Sequence, residues 1–194
     1  MNDHVITIVS GLPRTGTSLM MQMIHAGGIP ALTDNVRAGD KDNPRGYFEL
    51  EEVKRTRKDV AWLGKAGGRV VKMVHLLLYD LPGEHQYRVV FMRRDLREVV
   101  RSQGVMLERR GTDGARLTDE QLIKAYEGQL TRVERWLDDQ HNFQVHQVSY
   151  NTLMSDPPPA VEAIKAFLGG GLDRDAMLAS IDPSLYRQRQ VAAT

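Results

Sequence analysis

Apolar positions in this chain alternate between short continuous runs and helical repeats, a pattern that predicts strands and helices in turn. Val5 to Gly11 is a β-prone run that breaks into a loop rich in Gly, Pro and Arg, and a helical pattern follows over about Ser18 to His25. Gly27 to Gly46 carries Gly, Pro, Asp and Asn with no sustained period and reads as a long loop. Phe48 to Trp62 reads as a charged helix. Arg69 to Val74 and Tyr87 to Met92 are β-branched runs of buried-strand length. Leu96 to Arg109 reads as a helix whose start, Asp95-Leu-Arg-Glu98, has the form of a capping box.

After a polar loop from Arg110 to Leu117, the segment from about Asp119 to Asp139 is a long amphipathic helix. Its stripe of Leu122, Ile123, Tyr126, Leu130, Val133, Trp136 and Leu137 reads as a core-facing side. Phe143 to Ser149 is a further strand. Pro157 to Pro159 open a helix through Leu168 that Gly169 to Gly171 end. Strands alternating with helices predict an α/β fold, three-layered around a central parallel sheet and similar to the P-loop nucleotide hydrolases. Ligands are then expected beyond the carboxyl ends of the strands.

Composition narrows the chemistry. The 194 residues, 41% hydrophobic, suffice for one core and are read as a single domain, 1–194. The 26 Lys and Arg nearly balance 25 Asp and Glu, so no global field draws the protein to nucleic acid, and any anion site must be local. With no cysteine, disulfides, thiolate metal sites and thiol nucleophiles are excluded together. The first strand starts almost at once, leaving no room for a secretory leader, and no apolar run is long enough for a membrane span; a cytoplasmic location is expected.

The loop after the first strand is the strongest local signal. Gly11, Gly16 and Ser18 fall on three positions of the phosphate loop G-x-x-x-x-G-K-[ST], but Thr17 stands where the lysine belongs. Backbone amides converging in such a turn, with a helix N-terminus behind them, form an anion cradle. Arg14 supplies the cation instead. A chain without the lysine is poorly equipped to move a γ-phosphoryl group. A second basic cluster, Phe91 to Ser102, follows a strand and offers Arg94 and Ser102 to one phosphate; read alone it is equally a solvated helix start.

These segments, in this order, resemble the sulfotransferases that use 3′-phosphoadenosine 5′-phosphosulfate (PAPS) and release adenosine 3′,5′-bisphosphate (PAP). Pro13-Arg-Thr-Gly-Thr-Ser18 is similar to their 5′-phosphosulfate loop, PKSGTT or PRSGTT. Phe91 to Ser102 is similar to their 3′-phosphate motif, which implies that Arg94 and Ser102 hold that phosphate. Val148 to Pro157, with Ala166-Phe-Leu-Gly169, resembles their YEDL…DP…FLG stretch, and Tyr150 is then expected on the adenine side.

The resemblance implies PAPS as donor and PAP as product. Pro13, Arg14, Thr15, Gly16, Thr17 and Ser18 would surround the phosphosulfate. No metal is expected, because there is no γ-phosphate to manage. In-line transfer of the sulfuryl group to a hydroxyl or amine builds charge on the leaving phosphate, which Arg14 and Lys72 are placed to meet. Lys72 corresponds to the lysine of a Lys-Thr-His motif in cytosolic members, although a strand-end lysine also commonly points to water.

Three departures are visible. The cytosolic histidine base would fall on Val74, while a histidine stands one position later, at His75. The Arg-Lys-Gly loop near the C-terminus has no clear counterpart, Arg187 and Arg189 being weak substitutes. The chain is also short, closer to compact bacterial or Golgi-type members, several of which use a Glu base. That directs attention to Glu49, at the end of the turn-rich Asp42-Asn-Pro-Arg-Gly-Tyr-Phe-Glu49, as base ahead of His75. The acceptor, a small molecule, sugar, lipid head group or peptide, is expected to meet loops Thr33 to Glu49 and Arg110 to Leu117. Oligomeric state has no sequence signal. A P-loop small-molecule kinase and a non-catalytic PAP- or nucleotide-binding protein remain alternatives.

Overall fold

The computed structural model describes residues 5–34, 36, 39–40, 46–109, 111 and 117–186. A central sheet is built from β1 (Val5–Gly11), β2 (Val70–Lys72), β3 (Gln86–Arg93) and β4 (Phe143–Ser149), in the order β2-β1-β3-β4, with every pairing parallel. Because successive side chains of a strand point to opposite faces, each strand feeds two cores. Ile6 and Ile8 of β1 with Tyr87, Val89 and Phe91 of β3 join one cluster; Val9 with Val90 and Met92 join the other. The first core is covered by α3 (Asp119–Asp138) through Leu130, Val133 and Leu137, and by Trp62 and Leu63. The second is covered by α1 (Thr17–Ala26), α4 (Tyr150–Ser155), α5 (Pro157–Phe167) and α6 (Arg174–Ala179), which bury Met20, Met21, Ile24, Leu153, Ile164 and Met177. The expected three-layer α/β arrangement around a parallel sheet is present.

The sheet order creates a crevice. From β1 the chain goes to β2 on one side and then to β3 on the other, so the connections leaving β1 and β3 diverge at the carboxyl edge. The register pairs Ser10 with Phe91 and Gly11 with Met92, which sets the loop after β1 beside the loop after β3. Gly11, at φ 146°, is required there: a Cβ would lie 2.6 Å from the Met92 carbonyl oxygen and 2.8 Å from Thr15 Oγ1.

Helix α2 (Leu96–Arg109) agrees with the expected element, but its cap differs. Asp95 Oδ1 accepts from the Arg97 and Glu98 amides, at 2.9 and 3.2 Å. Glu98 turns away to an arginine, while the Asp95 amide donates to Asn151 Oδ1 at 3.0 Å. In α3 a capping box does form, between Thr118 and Gln121.

The segment from Phe48 to Trp62 is not the expected helix. It forms two separate 3₁₀ turns, Glu51–Arg55 and Ala61–Lys65. Asp59 Oδ1 accepts from the Ala61 amide at 2.9 Å, an Asx turn that restarts the chain, and Thr56 Oγ1 donates to the Val53 carbonyl and accepts from Trp62 Nε1 at 3.1 Å. With Leu50, Val53, Trp62 and Leu63 as its buried apolar anchors, the stretch lacks the continuous stripe a longer helix needs.

Candidate active site

A cleft of about 460 Å³ opens at the carboxyl edge, lined by the loop after β1, the start of α1, the segment around Tyr47 and Glu49, the ends of β2 and β3, and one face of α2. Its floor is the turn Leu12 to Gly16. Arg14 adopts φ 70°, a left-handed conformation uncommon for a residue with a side chain. The Arg14 carbonyl accepts from Arg94 Nη1 at 3.1 Å, and the Arg14 side chain donates from Nε to Ser102 Oγ at 3.0 Å. The loop after β1 is therefore tied to the residue that follows β3 and to the second turn of α2.

Thr15 is buried, with its hydroxyl donating to the Leu12 carbonyl at 2.7 Å, so its side chain shapes the loop. Gly16 precedes α1 at φ 92° and has no side chain with which to cap the first turn, leaving that work to whatever sits in front of the helix. A Cβ at Gly16 would fall 2.3 Å from the Tyr150 ring. Pro13, Arg14, Gly16, Thr17, Ser18, Arg94, Ser102 and Tyr150 all line the cleft.

Arg94 is buried with Glu98: Nε lies 2.9 Å from Glu98 Oε2, and the two side chains are 8% and 2% exposed. The guanidinium is stacked against Tyr150 at 4.7 Å and Tyr186 at 5.4 Å from the ring centroids. Tyr186 donates to Glu98 Oε1 at 3.0 Å and accepts from Asn151 Nδ2 at 2.7 Å. Burial and the neighbouring carboxylate push the Tyr186 hydroxyl above its ordinary pKa, so it remains a donor. The sequence reading missed Glu98, Asn151 and Tyr186. The i,i+4 spacing of Arg94 and Glu98 was the available signal for the first; a contact 88 residues away left none for Tyr186.

The second charged group of the cleft is Lys72 with Glu49. Lys72, at the end of β2, donates to Ser18 Oγ at 3.3 Å and to the Tyr47 carbonyl, and lies 3.6 Å from Glu49 Oε1. Glu49 Oε2 lies 3.3 Å from Lys54. The Lys72 and Glu49 side chains are largely buried, at 12% and 17% exposure. Phe48, at φ 51°, is the other left-handed residue with a side chain among the described residues and lies between the Tyr47 carbonyl and Glu49.

His75 does not itself line this cleft, although it lies beside the Gly11 backbone, which does. It begins the 3₁₀ turn His75–Asp80, is buried, and places Nε2 3.0 Å from Gln129 Oε1 of α3; burial lowers its pKa. Arg187 and Arg189, residues 42–45 of the loop before Glu49, and residues 110 and 112–116 lie outside the described residues. Among the described residues there is no group of three or more His, Asp or Glu able to hold a metal, and no helix long and apolar enough to cross a membrane.

Residues 81–174, just under half of the chain, match the Sulfotransferase family. The matched stretch contains β3, α2, α3, β4, α4 and α5, and so Arg94, Glu98, Ser102 and Tyr150, but not the loop after β1. Among solved structures, the sulfotransferase domain of the Synechococcus PCC 7002 olefin synthase superposes over 98% of this chain and 90% of its own, at 16% identity and a TM-score of 0.55. The sulfotransferase domain of the curacin biosynthetic pathway covers 91% and 77%, at 13% identity and a TM-score of 0.53. No curated protein matches the sequence. The fold is that of a sulfotransferase domain.

Proposed function

We propose that the protein is a PAPS-dependent sulfotransferase, transferring a sulfuryl group to a hydroxyl or amine of an acceptor. The observation that carries this reading is the convergence of the two basic motifs: Arg14 of the loop after β1 is bonded to Ser102, and Arg94 to the Arg14 carbonyl, in one cleft beside Tyr150. The donor set suits the ligand. Guanidinium groups, a lysine and an uncapped helix N-terminus favour phosphate and sulfate oxygens, and the Tyr150 ring offers a base a stacking surface.

When bound, PAPS supplies an activated sulfuryl group on its 5′-phosphate. The loop amides, Thr17 and Ser18 hold the phosphosulfate end, and Ser102 with Arg94 holds the 3′-phosphate. Arg94 does so with the part of its fork not committed to Glu98 and the Arg14 carbonyl. Lys72 and Arg14 stabilise the charge that grows as the bridging bond breaks; one well-placed donor of this kind is worth on the order of 3 kcal/mol. Glu49, beside Lys72, accepts the proton of the acceptor hydroxyl.

The test is a thermal-shift panel of PAP, PAPS, AMP and ATP, with and without magnesium, since a ligand bound by the folded state raises its stability with the logarithm of saturation. PAP and PAPS are expected to stabilise more than AMP or ATP, without magnesium. Equal stabilisation by AMP and PAP, or a strict magnesium requirement, overturns the reading in favour of a kinase.

A further inference from the structure

The backbone around Glu49 is fixed on both sides. Its carbonyl accepts from Thr33 Oγ1 at 2.8 Å and from the Asp34 amide at 3.3 Å, and Asp34 Oδ2 accepts in turn from the Glu51 amide at 2.6 Å. This reciprocal clasp leads directly into the 3₁₀ turn Glu51–Arg55. The turn brings Lys54 back to Glu49.

The carboxylate lies between two ammonium groups, one on each oxygen. Oε1 faces Lys72 Nζ at 3.6 Å, and Oε2 faces Lys54 Nζ at 3.3 Å. Lys72 is the inner of the two; Lys54, 53% exposed, is the outer and also lines the cleft. Lys72 touches Ser18 in the first turn of α1, so an anion bound at that helix end competes with Glu49 for it. Lys54 instead meets Glu51 Oε1, a carboxylate of its own turn, at 2.5 Å. That bond, and beyond a partial desolvation the charge of Glu49, raise the Lys54 ammonium above its ordinary pKa, so it is charged wherever a carboxylate titrates.

Resting on the sulfotransferase reading, we propose that Lys54 is a positioning residue for the base: it keeps the Glu49 carboxylate ionised and turned into the cleft while Lys72 is drawn to the donor. An opposite charge this close favours the charged form of a carboxylate, and an approaching anion disfavours it. With Lys72 shared between phosphate and carboxylate, Glu49 without Lys54 would take up a proton from water, and a protonated carboxyl cannot serve as a base. Glu51 and Asp34, the other carboxylates near Lys54, draw on the same cation and so limit its hold on Glu49. As a contribution to stability a half-exposed ion pair is minor, and its strength falls with salt. Its effect is therefore expected on the ionisation of Glu49 and hardly on folding.

The experiment follows the Glu49 carboxylate by carbon NMR of protein carrying glutamate isotope-labelled at the side-chain carboxyl, the resonance being assigned by its absence in Glu49→Gln. Each protein is titrated with acid alone and with saturating PAP, whose binding is measured separately by calorimetry and whose 5′-phosphate competes for Lys72. Lys54→Met is expected to raise the midpoint of the Glu49 titration by roughly half a pH unit to one unit, and by more with PAP bound than without. Lys54→Arg should restore the wild-type midpoint, and Glu51→Gln should move it in the opposite direction. Raised salt should narrow the difference between wild type and Lys54→Met, while Tm stays within a few degrees. Equal midpoints in PAP-loaded wild type and Lys54→Met, or a shift no larger with PAP than without, overturn the role of Lys54 while leaving the donor site in place. Failure to bind PAP overturns the donor assignment instead, and the midpoints of the free proteins then decide separately whether Lys54 holds Glu49.

Discussion

Arg14 Nε donates to Ser102 Oγ across 3.0 Å, so the loop after β1 and the second turn of α2 share a hydrogen bond at the centre of the cleft. Residues 88 positions apart in sequence act there as a pair. Ser102→Ala removes the acceptor of this bond and Arg14→Ala its donor, and their effects on PAP affinity are expected to be non-additive. The double variant should be impaired by about 1 to 2 kcal/mol less than the sum of the single changes. Calorimetric titration of the four proteins checks this, and strict additivity would mean that the ligand uses the two groups independently.

Arg94 and Glu98 make the second prediction. Both are almost fully buried, and a buried pair that loses one partner leaves an uncompensated charge, at a cost of roughly 3 to 5 kcal/mol. Glu98→Gln is therefore expected to lower Tm by on the order of 10 °C in a chain of this size, and to weaken PAP by releasing Arg94 from its position between Tyr150 and Tyr186. Tyr186→Phe, which removes one hydrogen bond to the same carboxylate, should be milder. Replacing Arg94 and Glu98 together by apolar residues of similar size should restore part of the lost stability while leaving PAP binding absent. Unchanged Tm and PAP affinity in Glu98→Gln would show that the pair positions nothing.

What was legible in the sequence follows from physical range. The strands and the long helix announce themselves through local periodicity, because each apolar run is buried on both faces of one sheet or along one stripe. Arg14, Arg94, Ser102 and Tyr150 stand in short motifs whose order along the chain suffices to group them, and the cleft brings them together. The segment from Phe48 to Trp62 misled because its charge pattern suits a helix surface, whereas Asp59 and Thr56 redirect the backbone through local hydrogen bonds. Tyr186 was out of reach because its place depends on α6 and the turn after it bringing the chain back to Arg94. His75 stood second to Glu49 as a base because it lies one position after the place of the cytosolic histidine. The 3₁₀ turn that begins at His75 directs its ring to Gln129.

His75 also sets a pH dependence of stability. Burial lowers its pKa in the folded protein below the ordinary 6.5, and His146, partly buried and stacked on Phe167, is shifted the same way for the same reason. The unfolded chain then binds protons more readily than the folded one. The stabilising contribution is complete above pH about 6.5 and is lost as pH falls through that value toward the depressed folded pKa. Wild-type Tm should therefore fall from pH 7.5 to 5.5, and His75→Gln should reduce the slope whatever it does to Tm at pH 7.5. Identical slopes in the two proteins would mean that His75 is not titrating differently on folding.

The final prediction concerns the base, for which Glu49 and His75 are the candidates. Glu49 lines the cleft 3.6 Å from Lys72, which itself touches Ser18 in the first turn of α1, whereas His75 is buried against α3. A base acts only within hydrogen-bond reach of the proton it takes, and removing it costs roughly 100-fold or more in rate. Glu49→Gln keeps the shape of the side chain and one acceptor oxygen but cannot take a proton, so kcat should fall by about that factor with PAP affinity intact. Glu49→Asp, which keeps a carboxylate on a shorter arm, should retain more activity than Glu49→Gln. Glu49→Gln should also lose the acid limb expected of a wild-type kcat/KM profile, since a base must be ionised to accept a proton. His75→Asn is expected to change kcat by only a few-fold, acting through the packing between the 3₁₀ turn and Gln129. Near-normal turnover in Glu49→Gln, with loss of turnover and of the acid limb in His75→Asn, would transfer the role to the histidine and require the 3₁₀ turn to rotate its ring out of the core.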